Sequence, residues 1–430
     1  MRGFIIVLTL MLSGLLLNAG AAAEVLTLTD CIETALKNHP DIVRADQNVN
    51  VANSELWNAA GQFLPNIGAS GSVSESWGNR IDINGLEFTA WTKRYSLDVS
   101  ASISAFSGGR KFFNYFSSRA NKAYFEYLAE GSRQSLIHSV KTYYFAYLAA
   151  QKTLEIREEA LKRGEEQLKL AESRFEVGAA SKSDVLKARV QFGTDRLNLI
   201  TADNNVKKAF ADLTYVIGVD VNSDVQFSTE YQTDSYEGTE ADALKYGLGH
   251  HPGFLASEKD MKASKWDVWS AYAQYLPSIN VSVSRGYSNP KWSELTDFND
   301  TDASWRVSTS ISIPIFEQFS RKVAVSRAKA SLNNSRAAFY YARNDLALQI
   351  KKAYLDMENA QERLQVAEET VVSAQEDMDL VQEKYNLGAA TILELLDAQV
   401  SLITAENDKI QAEFDYNLAV ATLEKAMGIK

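Results

Sequence analysis

An internal duplication constrains the fold of this chain more than any other feature of its sequence. Short segments recur in the same order, first 212 and then 210 residues apart: His39-Pro40 with His251-Pro252, 62–67 with 274–279, 175–180 with 385–390, and Gly218 with Gly428. Self-similarity that keeps its order along a chain indicates a repeated structural unit. The sequence therefore predicts two copies of one unit, 24–218 and 241–430, joined by a polar linker at 219–240.

Each predicted unit begins with two helices and continues into a β-hairpin. The first helix ends before the His-Pro pair, because a proline disfavours helical backbone in the residue that precedes it. After the second helix, apolar and polar residues alternate with a period of two, which is typical of strands. This alternation predicts β-hairpins at about 66–106 and 278–316, whose strands are joined by polar loops at 78–94 and 288–303.

A long helical hairpin, 110–217 or 320–427, follows each β-hairpin. The first arms, 110–177 and 320–387, contain no proline, and at about 1.5 Å per residue each would span roughly 100 Å. Apolar residues recur every three and four positions along the later arm, at Met357, Ala360, Leu364, Ala367, Val371, Ala374, Met378, Val381 and Tyr385. The earlier arm keeps a seven-residue spacing at Val140, Tyr147, Leu154, Leu161, Leu168 and Phe175. Both patterns predict a coiled coil.

Residues 1–23 have the pattern of a secretory signal peptide. Arg2 precedes an apolar stretch of 14 residues at 4–17, and the small residues 21–23 precede the expected cleavage site. An uncleaved membrane anchor is the alternative, but this stretch is short for a helix that needs about 20 residues to span a bilayer. We therefore expect the chain to leave the cytoplasm.

Composition argues against several classes of function. A net charge of -11 is unsuited to a nucleic-acid partner, whose phosphates require a basic surface. The single cysteine, Cys31, cannot form an intramolecular disulfide. Four histidines leave little material for a metal site, and His39 and His251 are interpreted as markers of helix breaks. We expect no metal, no cofactor and no enzymatic activity.

The alternating strands have the pattern of a transmembrane barrel. Their apolar positions are Leu97, Val99, Ala101, Ile103 and Ala105 in the first unit, and Trp305, Val307, Thr309, Ile311, Ile313 and Ile315 in the second. Aromatic residues mark the outer ends (Trp77, Trp91, Tyr95, Tyr287, Trp292, Trp305) and the inner ends (Phe63, Phe106, Tyr275, Phe316). Two such belts suit the two membrane interfaces. Soluble hairpins packed on a helical body are the alternative, but the serine-rich second face suits a wet lumen better.

The number of predicted strands requires an oligomer. Four strands cannot close a barrel, and an open edge in lipid leaves backbone groups unpaired at a cost of several kcal/mol each. Two copies would supply eight strands and three copies twelve. Because a barrel of about eight strands is filled by its own side chains, a water-filled lumen favours three copies.

Two motifs give the chain a family resemblance: Phe106-Ser107-Gly108-Gly109-Arg110 after the strands, and 385–398 at the end of the long helix. With the duplication, they resemble the TolC-type outer-membrane efflux family over essentially the whole mature chain. The resemblance implies an α+β membrane protein, mainly α, in which three copies form a twelve-stranded β-barrel continued by an α-helical barrel.

The resemblance also implies a function and partners. Such proteins are passive exit ducts of tripartite efflux or type I secretion systems in the outer membrane of Gram-negative bacteria. The implied partners are outer-membrane lipid, a periplasmic adaptor and, through the adaptor, an inner-membrane transporter of the RND, ABC or MFS type. A periplasmic coiled-coil adaptor is the alternative, although adaptors usually carry one helical hairpin and this chain has two.

For the periplasmic tip of the tunnel, the resemblance implies a gate. Its acidic residues would be Asp184, Glu394 and Asp397, with Ser183 and Tyr385 in polar contacts that close it; Ala390 replaces an arginine found in some members. The implied adaptor-docking turns are Val177, Gly178, Ala179, Leu387, Gly388 and Ala389. A structural alternative stays open, because Thr391-x-x-Glu394 and Ser181-x-x-Asp184 also have the spacing of helix-capping boxes. Asp397 could equally lie on a solvated helix face.

Overall fold

This computed structural model describes residues 25–81, 87–229, 236–295 and 303–429. The predicted signal peptide, and parts of the predicted linker and loops, lie outside these residues. The helices are α1 (Leu28–Asn38), α2 (Pro40–Gly61), α3 (Arg110–Glu176), α4 (Lys182–Ile217), α5 (Glu240–His250), α6 (Pro252–Ala273), α7 (Trp292–Leu295), α8 (Ser320–Asn386) and α9 (Ile392–Met427). The strands are β1 (Val25–Leu26), β2 (Asn66–Ile81), β3 (Glu87–Ser107), β4 (Gln226–Phe227), β5 (Ser278–Asn289) and β6 (Ala303–Ser312).

The long helices occur in pairs of equal length. Helices α3 and α8 have 67 residues each, one fewer than predicted, and α4 and α9 have 36 each. Helices α4 and α9 end at Gly218 (φ 75°) and Gly428 (φ 79°). Glycine suits these positions because the left-handed backbone that closes a helix strains a residue with a Cβ.

The coiled-coil prediction is confirmed by burial along α8. The apolar residues that recur every three and four positions form the predicted seam of α8. Met357, Ala360, Met378 and Tyr385 of this seam are buried, and its other members are half-buried. The seam of α3 is also covered at Val140 and Tyr147, but its last predicted member, Phe175, is 45% exposed. Among the described helices, none is both long and apolar enough to cross a membrane.

The chain divides into two compact units. One takes the chain up to Ile42, Arg133–Ala243 and the chain from Gln349 onward; the other takes Val43–Ser132 and Leu244–Leu348. Each unit therefore draws on both halves of the sequence. This spatial division differs from the predicted division into sequence repeats, which stays a prediction.

The first unit has a core where α1, α3, α4 and α9 meet. Tyr144, Leu148, Leu213 and Ile217 are almost completely buried there, and the Tyr144 hydroxyl donates a hydrogen bond to the carbonyl of Ser228 at 2.6 Å. The predicted linker supplies part of this core. Its strand β4 pairs in parallel with β1, so that Val25 lies opposite Gln226 and Leu26 opposite Phe227.

The second unit carries one antiparallel sheet with strand order β2-β3-β5-β6. Its register aligns serine with serine, as in Ser100 opposite Ser284 and Ser282 opposite Ser308. The hydroxyls of Ser282 and Ser308 lie 2.7 Å apart and form a hydrogen bond. Because side chains alternate between the two faces of a strand, the serines gather on one face and most of the apolar residues on the other.

Two strand predictions need correction. Strands β2 and β3 extend through most of the predicted loop at 78–94, and its residues 82–86 lie outside the described part of the chain. Strand β6 ends at Ser312, whereas the hairpin was predicted to reach about 316. The cause lies in Pro314, which has no N–H to donate to a sheet ladder. Ile313 and Ile315 therefore lie beyond the strand.

Candidate functional site

The predicted gate and docking residues lie where the two long helical hairpins turn, in the segments 174–185 and 384–397, here called the helical tip. Gly178 (φ 77°) lies two residues after the end of α3, and Gly388 (φ 73°) two residues after the end of α8. After α3, the N–H of Ala179 donates to the carbonyl of Arg174 at 2.7 Å; the corresponding hydrogen bond after α8 is 2.8 Å. Both turns are thus Schellman motifs, which satisfy carbonyls that a helix end would otherwise leave unpaired.

The second helix of each hairpin, α4 or α9, starts at a capping box. The N–H of Ser181 donates to the Asp184 carboxylate at 2.9 Å, and the N–H of Thr391 donates to the Glu394 carboxylate at 2.6 Å. In return, the two hydroxyls accept the N–H groups of Asp184 and Glu394 at 3.2 and 3.3 Å. The hydrogen bonds from Ser181 and Thr391 hold the pKa values of Asp184 and Glu394 below the ordinary range. The capping role, left open by the sequence, is therefore present in the structure.

The other predicted gate residues differ in their surroundings. Asp397 lies one turn after Glu394 and is exposed, and Ser183 is exposed in the first turn of α4. Tyr385 is only 5% exposed, near the end of α8. The exposed carboxylate of Asp397 is open to ions in solution, whereas the Tyr385 ring belongs to the packing of the tip.

The predicted docking turns carry exposed apolar side chains. Val177 is 79% exposed and Leu387 is 85% exposed. A Cβ added at Gly178 or Gly388 would meet no other atom within 4 Å, so space beside both glycines is open. Exposed apolar side chains at the same position of two hairpins are suited to contact with another protein.

Beneath the turns, all four long helices share a buried cluster. Its members are Ala171, Val185, Ala188, Met378, Tyr385, Ile392, Leu395, Leu396, Ala398 and Leu402. These buried residues recur at helical spacing between exposed ones, so one face of each helix packs against the other helices. This cluster fixes the positions from which the acidic side chains project.

One important side chain of the helical tip was not predicted. The guanidinium carbon of Arg174, on α3, lies 4.5 Å from the centre of the Tyr385 ring on α8. Its Nη1 donates to the carbonyl of Tyr385 at 3.1 Å, and its Nη2 to that of Asn386 at 3.3 Å. Arg174 and its partners are more than 200 positions apart, and no periodic pattern in a single sequence reports such a pair.

A second unpredicted feature is a buried carboxylate further along the hairpins. Asp195 on α4 is 6% exposed and accepts a hydrogen bond from the Gln191 amide at 2.9 Å. A Cβ added at Gly164 on α3 would come within 2.6 Å of its Oδ2, so the glycine makes room for this carboxylate. Burial raises the pKa of Asp195 against the opposing charges of Arg157 and Arg163.

Solved channel structures have the same fold. The outer-membrane channel OprN covers 94% of this chain and 90% of its own, with a TM-score of 0.81 and 21% identity. The outer membrane protein VceC from Vibrio cholerae covers 93% and 96%, with a TM-score of 0.82 and 18% identity. The fold, with paired helical hairpins and one antiparallel sheet, is shared with these outer-membrane proteins.

The sequence comparison then gives the family. The outer membrane efflux protein family matches residues 31–219 and 245–429, and the chain belongs to this family. Among its relatives, the probable efflux pump outer membrane protein TtgC of Pseudomonas putida is 25% identical over 93% of this chain and 82% of the relative. Outer membrane protein TolC of Escherichia coli is 23% identical over the same shares.

Family membership confirms the predicted function and location. The chain is an exit duct of an efflux system in the outer membrane of a Gram-negative bacterium, and the family's role is transport rather than catalysis. The alternative of a periplasmic adaptor is therefore set aside.

Proposed function

We propose that three copies of this chain close one twelve-stranded barrel, continued by a helical barrel, and conduct substrates passively. The observation that carries the proposal is the four-stranded sheet, whose edges are β2 and β6. Unpaired strand edges are not tolerated in hydrocarbon, so β6 of each copy would pair with β2 of the next. Each copy would then contribute two structural repeats, as the duplicated sequence predicts.

The two faces of the sheet support this assignment. Its serine-rich face, with Arg94 donating to the Ser288 hydroxyl at 3.0 Å, suits a hydrated lumen. The opposite face has aromatic rings towards its outer end, where the Arg285 guanidinium lies 5.1 Å from both the Tyr287 and the Trp305 ring. Amphipathic side chains in such positions are typical of a membrane interface.

The helical tip would be the contact point for the rest of an export system. We infer that the exposed turns at 177–179 and 387–389 receive hairpins of a periplasmic adaptor, which links the duct to an inner-membrane transporter of the RND, ABC or MFS type. Their support is the exposure of Val177 and Leu387 together with the open space beside the glycines. A type I secretion system would use the same surface.

The same tip would carry the gate. Threefold symmetry would place three copies each of Asp184, Glu394 and Asp397 around one axis. The spacing of three residues puts Glu394 and Asp397 on one side of α9. Rings of carboxylates attract cations, and they select for them where they line a constriction. Ser183 and the buried Tyr385 would belong to the contacts that keep this constriction closed.

The mass of the detergent-solubilised protein tests the assembly. We expect light scattering in mild detergent, corrected for bound detergent, to give three times the mass of the mature chain, because only a closed barrel satisfies the edges of β2 and β6. A monomer would contradict the proposal, and a dimer would favour an eight-stranded barrel instead.

A further inference from the structure

Arg174 connects the two helical hairpins at the helical tip. It lies in the last turn of α3, yet its contacts are with the last turn of α8. Its guanidinium covers the Tyr385 ring at 4.5 Å and donates to two consecutive carbonyls, those of Tyr385 and Asn386. One side chain of the first hairpin therefore holds both a ring and the terminal backbone of the second.

The chemistry of this contact suits an arginine. The last carbonyls of a helix lack partners within the helix and lie at the negative end of its dipole. The Schellman turn supplies one donor, since the N–H of Gly388 bonds to the Tyr385 carbonyl at 3.1 Å. Arg174 adds two charged donors, while its guanidinium lies over the ring. A lysine carries the same charge but has neither the fork nor the plane.

The first hairpin supplies the arginine and the second supplies the tyrosine. The reverse contact does not form, because the equivalent residues of the two hairpins differ. At the positions equivalent to Arg174 and Phe175 of α3, helix α8 has Lys384 and Tyr385. Lys384 and Phe175 are both exposed, whereas Tyr385 is buried beneath the arginine. The pairing of an arginine with a buried tyrosine thus distinguishes two otherwise similar helix ends.

We propose that Arg174 is a positioning residue that fastens α8 to α3 and so holds the helical tip closed. Any movement that carries the end of α8 away from α3 must break the ring contact and both hydrogen bonds. Tyr385 is also part of the buried cluster, so its release would expose the ring to water. The proposal rests on the proposed gate, of which it names the fastening between hairpins.

Single-channel recording of the full-length protein in planar lipid bilayers tests this role. Arg174→Met removes the donors and the plane but keeps an unbranched side chain. We expect its open fraction to rise about tenfold, equivalent to about 1.4 kcal/mol. Arg174→Lys should give a smaller rise. The matched control is Arg189→Met, which removes an ion pair with Glu172 (2.7 Å) inside the first hairpin and should leave the open fraction unchanged.

Two further measurements separate this proposal from its alternatives. Adding Tyr385→Leu to Arg174→Met should raise the open fraction no further than the larger single effect, because the ring contact that Tyr385→Leu removes is already lost in Arg174→Met. If Arg174→Met lowers only the melting temperature, the arginine is merely a helix cap and the proposal is wrong. Asp397→Asn is recorded in the same experiment. If Asp397→Asn alters ion selectivity while Arg174→Met opens normally, the role of Arg174 is rejected and the gate is kept. If neither variant changes the channel, the gate is rejected as well.

Discussion

At the scale of single residues, the carboxylates of the helical hairpins divide according to what surrounds their oxygens. Capping hydrogen bonds lower the pKa values of Asp184 and Glu394, so their contribution to stability is present above the ordinary carboxyl pKa and is lost as the pH falls through the lowered values. Burial raises the pKa values of Asp195 and Glu406, and these two carboxylates have the opposite effect. Ionised carboxylates thus stabilise the fold at the helix ends and destabilise it where they are buried.

Asp195→Asn should stabilise the protein at neutral pH. The buried carboxylate is harder to ionise in the folded state, so at neutral pH its charge opposes folding, and this penalty disappears as the pH falls through the raised pKa towards 3.8. The asparagine carries no such penalty, and its carbonyl oxygen can still accept the Gln191 amide. We expect a higher melting temperature at neutral pH and a smaller gain over the wild type under acid conditions.

The control for this measurement is Asp203→Asn on the same helix. Asp203 forms a surface ion pair with Lys207 at 2.6 Å, and such pairs contribute only about 0–1 kcal/mol. Its replacement should leave stability at neutral pH unchanged or slightly reduced. A loss of stability in Asp195→Asn, equal to or larger than that in the control, would show that the buried charge is fully compensated by Arg157 and Arg163.

At the scale of elements, the sequence predicted what depends on local periodicity. The coiled-coil pattern of α8, the ends of α1 and α5 before the His-Pro pairs and the capping boxes all follow from spacings within a few residues. Contacts between distant segments were missed: β1 and β4 have two residues each, too few for an alternating pattern. Arg174 was missed because its partners lie more than 200 positions away and are brought to it only by tertiary packing.

The alternation of the strands gives a test of which face meets lipid. Ile103→Arg and Ile311→Arg should impair membrane assembly, by about 2–4 kcal/mol at the bilayer midplane and by less near an interface. Ser102→Arg and Ser310→Arg, on the neighbouring positions of β3 and β6, should be tolerated because they lie on the proposed lumen face. Ile311 is the suitable partner here, since Ile313 lies beyond β6.

Assembly yield is measured as the fraction of trimer extracted from outer membranes, with expression matched between variants. The serine substitutions are the controls, because they introduce the same charged side chain at an adjacent position. Equal yields for the isoleucine and serine variants would mean that the proposed lipid and lumen faces are wrongly assigned.

At the scale of the whole molecule, the proposed trimer would turn single acidic residues into rings around one axis. Glu394→Gln combined with Asp397→Asn should reduce cation selectivity and weaken block by polyvalent cations, because in the proposed trimer it would remove six charges from one opening. Planar-bilayer recordings under a salt gradient measure the selectivity, and added trivalent cations measure the block.

Thr391→Ala separates the gate from the helix cap. It removes the hydroxyl that accepts the Glu394 N–H but keeps the carboxylate, and loss of such a cap costs about 1 kcal/mol. It should lower thermal stability while leaving selectivity intact. If the double variant also leaves selectivity and block intact, the acidic residues serve only the helices.

The pairing of β1 with β4 has a consequence for the order in which the protein can be made. Leu26 pairs with Phe227, about 200 residues later, and the core to which both contribute also contains Ile410 and Phe414 from α9. Because a chain is delivered from its N-terminus, this core cannot be complete until the last helix has arrived. Until then the ring of Phe145, whose centre lies 6.2 Å from that of Phe414, lacks its partner from α9. Folding of this core therefore has to wait until translocation of the chain is nearly complete. We expect a delay late in translocation, when most of the core residues have already been exported, to be more harmful than an early one.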